Sequence, residues 1–273
     1  MALRFEEVPL ADGALPVTLW EPTSPTSTLV CVHGWTLDHR SFSGQAALAE
    51  RGIRVVAFDR RGFGVNTLPP GLNMELEDLR CLLTHLSGPV YAFGVSQGAR
   101  LVLRYAAQYP ATLDGIILQG GLVDGLPFDA TEIPYDYYRE LLRAGDRTAF
   151  SEAWLAHPLM QMGVPPDKRA SVAELISGYE GRDLLESPSD GKRDDLSALL
   201  PEVFSRQKLP LWAIVAEQES AARRAHTDFL IEQCGAEAIP MPGGHLCHFT
   251  HADTFNERLE RLLAVLGHGA NGS

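Results

Sequence analysis

Apolar residues gather along this chain in short runs separated by amphipathic stretches. Leu29–Val32, Ile53–Phe58, Val90–Phe93, Leu113–Leu118 and Leu209–Ala216 are nearly continuous apolar runs bounded by turn residues. They are too short for independent helices and predict strands buried on both faces. Between them lie helical patterns over Ser41–Glu50, Leu72–Leu86, Ala99–Ala106 and Ala221–Cys234. A last one, Thr254–Leu266, carries Phe255, Leu259, Leu262, Leu263 and Leu266 on one stripe. Arg4–Val8 and Val17–Trp20 predict two strands joined by a turn at Asp12-Gly13, and Ala236–Pro240 a short late strand. Strands alternating with helices across short loops predict an α/β fold, with a doubly wound, mostly parallel sheet.

The alternation breaks between about Val123 and Arg206. That segment holds helical patterns over Tyr135–Ala144, Ala149–Ala156, Lys168–Ser177 and Leu196–Phe204, separated by proline and glycine. The expected organisation is therefore a core of residues 1–122 and 207–273, with a helical cap of residues 123–206 inserted late in the sheet. The cap is rich in aromatics and methionine, most of which should form its own core. A few should line a pocket between cap and sheet, where ligand sites form. The candidates are Phe128, Trp154 and Met160, with Trp35 and Leu246 from the core.

At 273 residues and 45% apolar, the chain can bury a substantial core. Its net charge of −12, with no basic run, argues against nucleic acid or an anionic membrane surface as a partner. No apolar stretch approaches membrane-spanning length. The opening MALRFEEVPL lacks a secretory leader's apolar run, and the four cysteines form no CxxC pair. Reduced thiols in a cytoplasmic protein are the expectation.

The chemistry centres on Val90–Leu103, VYAFGVSQGARLVL. A buried strand stops at Gly94-Val95-Ser96-Gln97-Gly98 and an amphipathic helix begins at once. In that context G-x-S-x-G is a nucleophile turn, its serine projected from a strained strand-to-helix junction. A serine hydroxyl needs a base to take its proton, and a histidine suits that role near neutral pH. His245, on the Pro242-Gly243-Gly244 loop at the carboxyl edge of the sheet, is favoured over His248 and His251. His33 reads as structural, supporting loops beneath the oxyanion site. A carboxylate must hold the imidazole. Glu219, just past the strand ending at Ala216, is favoured, with Glu217 and Asp124 as rivals. Oxyanion donors are expected from the backbone N–H groups of Gln97 and Trp35. Three histidines near Cys247 do not complete a recognisable metal ligand set. Gly62-Phe63-Gly64 lacks the third glycine of a dinucleotide fingerprint.

The order HGW, DRRGFG, GVSQG, a helical insertion, AEQE and GGHLCHF resembles the α/β-hydrolase superfamily over nearly the whole chain. The first two pieces look most like the small bacterial esterase, lactonase and cofactor-free haloperoxidase branch. The resemblance implies Ser96 as nucleophile, His245 as base, and Trp35 and Gln97 as oxyanion donors, with no cofactor and no metal. It departs in carrying Glu219 where that branch usually has Asp, and Gln97 where it commonly has Met. The expected activity is cleavage of a small carboxylic ester or lactone through an acyl-enzyme, by a monomer or homodimer. C–C or amide bond hydrolysis would use the same machinery. HGWTLDHR also resembles cofactor-independent dioxygenases of this fold, in which the histidine alone is the base. Those relatives carry Asp where this chain has Gln119.

Overall fold

The structure, a computed structural model, describes residues 1–186 and 195–269. Part of the expected cap, residues 187–194, lies outside the described residues. Eight strands form one sheet: β1 Ala2–Leu10, β2 Gly13–Glu21, β3 Ser27–Val32, β4 Ile53–Phe58, β5 Val90–Val95, β6 Gly115–Gln119, β7 Leu211–Gln218 and β8 Glu237–Gly244. Their order is β1-β2-β4-β3-β5-β6-β7-β8. β1 and β2 form the expected hairpin, and β2 pairs antiparallel with β4. From β4 to β8 all neighbours are parallel.

Alternation along the strands divides the core between the two faces. Val30 and Val32, Val56 and Phe58, and Val90 and Ala92 point to one face. There they meet helices α1 (Leu72–Thr84) and α2 (Gln97–Gln108). Leu29 and Cys31, Val55 and Ala57, and Tyr91 and Phe93 point to the other. Phe42 and Leu48 cover them from His39–Arg51, which coils as a tight 3-10 run where the periodicity predicts an ordinary helix. The apolar stripe serves either coil, because it sets only which side faces the sheet.

The inserted segment contributes α3 (Tyr135–Arg143), α4 (Arg147–Leu155), the short α5 (Pro158–Gln161), α6 (Arg169–Ser177) and α7 (Arg182–Glu186). Their aromatics form a third cluster with Trp35, Leu37, Phe63 and Leu246, which belong to loops at the sheet edge. Helix α8 (Leu196–Gln207) differs from the sequence expectation that assigns it to the cap. Leu196, Leu200 and Phe204 pack instead in the sheet layer of α2, because its apolar stripe matches that layer. The chain closes with α9 (Ala221–Cys234), the short α10 (Cys247–Thr250) and α11 (Ala252–Gly269). No helix among the described residues is long and apolar enough to cross a membrane.

The strand order reverses at β3, whose neighbours are β4 on one side and β5 on the other. In open parallel sheets, ligands bind beyond the carboxyl ends of the strands at such a reversal. The loops leaving β3 and β5 are HGW and the Ser96 turn.

Candidate active site

Ser96 sits between β5 and α2 with φ 54° and ψ −114°, a backbone strained by about 1–3 kcal/mol. Its neighbours make that turn possible. A Cβ on Gly94 would lie 2.5 Å from Ala99 Cα, and one on Gly98 would lie 2.1 Å from the Val32 carbonyl oxygen. The Ser96 N–H donates to the Gln119 carbonyl at 2.7 Å, locking the turn to β6. Gln97 is the first residue of α2, so its N–H has no partner within the helix and faces outward from the N-terminus. Trp35 lies in the turn after β3, where the Leu37 N–H donates to Gly34 O at 3.4 Å. A Cβ on Gly34 would lie 3.1 Å from Ser96 Cβ, so that turn is seated directly against the serine.

His245 follows β8, and its Nδ1 lies 2.8 Å from Glu219 Oε2. Both side chains are almost fully buried. A register irregularity between Ala216 and Gln218 precedes Glu219 and turns it inward. Its second oxygen, Oε1, accepts the Ser220 N–H at 3.0 Å. Burial alone would raise the Glu219 carboxyl. His245, Arg223 and that N–H more than offset it, and the group is held below its ordinary value. Gly120, at φ 57°, makes room for the pair: a Cβ there would lie 2.6 Å from the imidazole and 2.7 Å from Glu219 Oε2. Gln119 Nε2 donates to the His245 carbonyl at 2.7 Å and steadies its backbone.

The rival residues are engaged elsewhere. Glu217 is exposed at the end of β7. Asp124 accepts from Arg100 Nε at 2.8 Å and ties α2 to the chain leaving β6. His248 lies in the core beside Phe42, Phe93 and Phe255, its Nδ1 bonded to Gln119 Nε2. Burial pushes it down to about 3. His251 meets Thr250 Oγ1 at 2.9 Å. His33 accepts the Arg60 N–H at its Nε2 and pairs its Nδ1 with Gly34 O, which places it beneath the HGW turn. Burial, aided by Arg60, lowers it to about 4, so the ring is neutral.

Ser96 and His245 face one cavity of about 770 Å3. Among the described residues the hydrogen bond to the Ser96 hydroxyl comes from Arg223 Nη1, at 3.4 Å, rather than from His245. Gln97, Trp35, Phe128, Trp154, Met160 and Leu246 also line the cavity. The Gln97 side chain is tied down: its Oε1 accepts from Arg60 Nη1 at 2.7 Å, and Arg60 pairs with buried Glu75. The Trp35 indole N–H is shared between Tyr179 Oη and Asp183 Oδ2, each at 2.9 Å.

Sequence reasoning misses Arg223, Glu132 and Asp183, since their roles depend on contacts between distant segments. Arg223 does leave one signal: a cation in the first turn of α9 opposes the helix dipole. Asp38, His39 and Asp59 bring potential ligand atoms within 4.8 Å of one another. Asp38 is already committed to Arg40, and Asp59 to His39 and the Val65 N–H. That arrangement fits a loop clamp better than an open metal site.

The chain resembles known proteins along most of its length. Residues 29–258 match the model of the alpha/beta hydrolase family. "Putative carbamate hydrolase RutD" of Klebsiella pneumoniae subsp. pneumoniae is 27% identical over 247 residues, covering 81% of this chain and 85% of that protein. Two solved structures share the fold. The esterase EaEST from Exiguobacterium antarcticum superposes with a TM-score of 0.78 at 18% identity, covering 96% of this chain and all of that one. The enol-lactonase from Burkholderia xenovorans LB400 superposes with a TM-score of 0.76 at 17% identity, covering 95% and 100%. With its strained Ser96 turn, its histidine–carboxylate pair and this match, the chain belongs to the alpha/beta hydrolase family.

Proposed function

We propose that the protein is a serine hydrolase that cleaves a small carboxylic ester or lactone. The observation that carries this is the buried Glu219–His245 pair at 2.8 Å, facing the same cavity as the strained Ser96. The Ser96 hydroxyl turns from Arg223 to His245 Nε2 as substrate enters. His245 takes the proton while Oγ attacks the carbonyl carbon, and Glu219 holds the tautomer and stabilises the imidazolium. The N–H groups of Trp35 and Gln97 receive the developing oxyanion. His245 then protonates the departing alcohol. Water, deprotonated by the same imidazole, releases the acid and restores Ser96. Helices α3 to α7 act as a lid whose rings exclude bulk water and favour a modest acyl group. No step requires a cofactor or metal.

The name of the Klebsiella pneumoniae relative, a carbamate hydrolase, favours a second reading of the same machinery, hydrolysis of a carbamate. One assay addresses both: p-nitrophenyl esters of graded acyl length, simple lactones and p-nitrophenyl carbamates, with wild type beside Ser96→Ala. Short acyl esters should turn over, and Ser96→Ala should lose at least about 10⁴-fold in kcat. Preference for the carbamates would select the second reading. No burst and no turnover on any ester, lactone or carbamate would overturn both. Oxygen consumption with hydroxyquinolone-type substrates would then favour the dioxygenase. Against that outcome, Gln119 occupies the dioxygenase acid position and spends its amide on the His245 carbonyl.

A further inference from the structure

One charged contact in the cavity is not used by the proposed reaction. Arg223 is only 3% exposed, yet it lines the cavity beside Ser96. Its Nη1 donates to Gly120 O at 2.7 Å and reaches Ser96 Oγ at 3.4 Å. Its Nη2 lies 3.3 Å from Glu132 Oε2, and the other oxygen of Glu132 accepts the Ser220 hydroxyl at 2.5 Å. The buried Nε has no hydrogen-bond partner among the described residues. Burying a guanidinium against the positive end of a helix is unfavourable unless an anion sits beside it, and here Glu132 is that anion.

The guanidinium, the Ser220 hydroxyl and the N-terminus of α9 together form a seat for a carboxylate. In the structure that seat holds Glu132, from the loop that enters α3. A carbon attacked by Ser96 must approach to about 3–3.5 Å of Oγ. A carboxylate oxygen on Arg223 must lie about 2.8 Å from its nitrogen. Nη2, which faces Glu132, belongs to the same guanidinium as Nη1, itself 3.4 Å from Ser96 Oγ, so both groups can belong to one small molecule. We infer that the substrate carries a carboxylate one to three bonds from the scissile carbonyl, and that this carboxylate replaces Glu132 on Arg223 and Ser220. The inference rests on Ser96 attacking a carbonyl, as proposed above.

A near-isosteric pair tests it: monomethyl succinate and methyl 4-methylpentanoate, with acid release followed by a pH indicator. The readout is the ratio of the two kcat/KM values, which cancels any loss common to both. Wild type should favour the succinate ester at least tenfold. Arg223→Met should bring the ratio to about one. Arg223→Lys, which keeps charge without the planar fork, should fall between. Glu132→Gln should weaken the hold of the seat's own occupant on Arg223 and lower KM for monomethyl succinate severalfold, raising the ratio. A wild-type ratio near or below one, or a ratio unchanged in Arg223→Met, overturns the inference and leaves ester hydrolysis standing. If neither ester turns over, hydrolysis of simple esters fails separately and binding decides. Millimolar succinate should then raise Tm of wild type and not of Arg223→Met. No rise, or an equal rise in both, overturns the inference.

Discussion

The sheet side of the cavity holds Ser96, His245 and Glu219 through backbone constraint, whereas the inserted side holds its surface through packed rings. On the first side, glycines decide what fits: Gly94, Gly98 and Gly120 each sit where a single Cβ would strike backbone or a reacting side chain. On the second, Trp35 is surrounded by Tyr135, Tyr138, Phe150, Trp154 and Tyr179, with ring centroids 4.8–6.2 Å away. Rings at such distances can be exchanged for others at modest cost, while the glycines and the carboxylate cannot. Under the proposed reaction the chemistry is fixed by one wall, and the shape of the accepted substrate can drift with the other.

Substitutions on each wall sharpen this contrast. Gly98→Ala should have the largest effect. Its Cβ would lie 2.1 Å from Val32 O and 2.6 Å from His33 O, so soluble yield and Tm should both collapse. Glu219→Gln keeps the volume and should leave Tm close to wild type above pH 6. It should cost kcat roughly 10⁴-fold, because the amide no longer enforces the imidazole tautomer. Steady-state kinetics beside thermal melts separates the two. On the other wall, Trp154→Ala empties a site that is only 2% exposed. About 3–5 kcal/mol of stability should be lost in denaturant titration, together with a rise in KM.

The pH dependence comes next. His33 and His248 stay neutral in the fold down to about 4 and about 3, whereas the unfolded chain protonates them near the ordinary 6.5. The unfolded state binds more protons in that window, so stability should fall as pH drops from 6.5 toward 4. Glu219, held below its ordinary 4.5, adds to the loss only below about that value. Replacing His248 with Asn should flatten Tm against pH between 6.5 and 5, while an unchanged slope would remove His248 from the account. The smallest effect is Trp154→Phe, which removes the indole bond to Thr36 Oγ1 and part of the ring volume and should cost about 1–2 kcal/mol.

Legibility in the sequence follows the same division. The strands of the sheet were readable because burial on both faces leaves short apolar runs that no surface helix imitates. Ser96 and His245 were readable as candidates because local features, glycines at a strand end, mark them. Glu219 is favoured in the sequence over Glu217 and Asp124 only by its place past Ala216, and the contact with His245 is what sets it apart in three dimensions. The placement of α8 was not legible, since an amphipathic helix shows which side is apolar and not which neighbour receives it. Arg223 was not legible as part of the site either. Its partners, Gly120, Glu132 and Ser96, lie about a hundred residues away along the chain.

Trp35 belongs to both walls at once. Its backbone turns against Ser96, while its indole is bonded to Tyr179 and Asp183 and packed among the rings of the insertion. The next residue, Thr36, is held at φ 63°, an uncommon posture for a β-branched side chain, and the indole N–H of Trp154 fastens it. The inserted helices are thus not an accessory laid over a finished site. A foreign lid grafted onto this sheet would have to bring its own socket for the Trp35 indole and its own clasp for Thr36. Without them, the turn that faces the serine would lose its shape along with its cover.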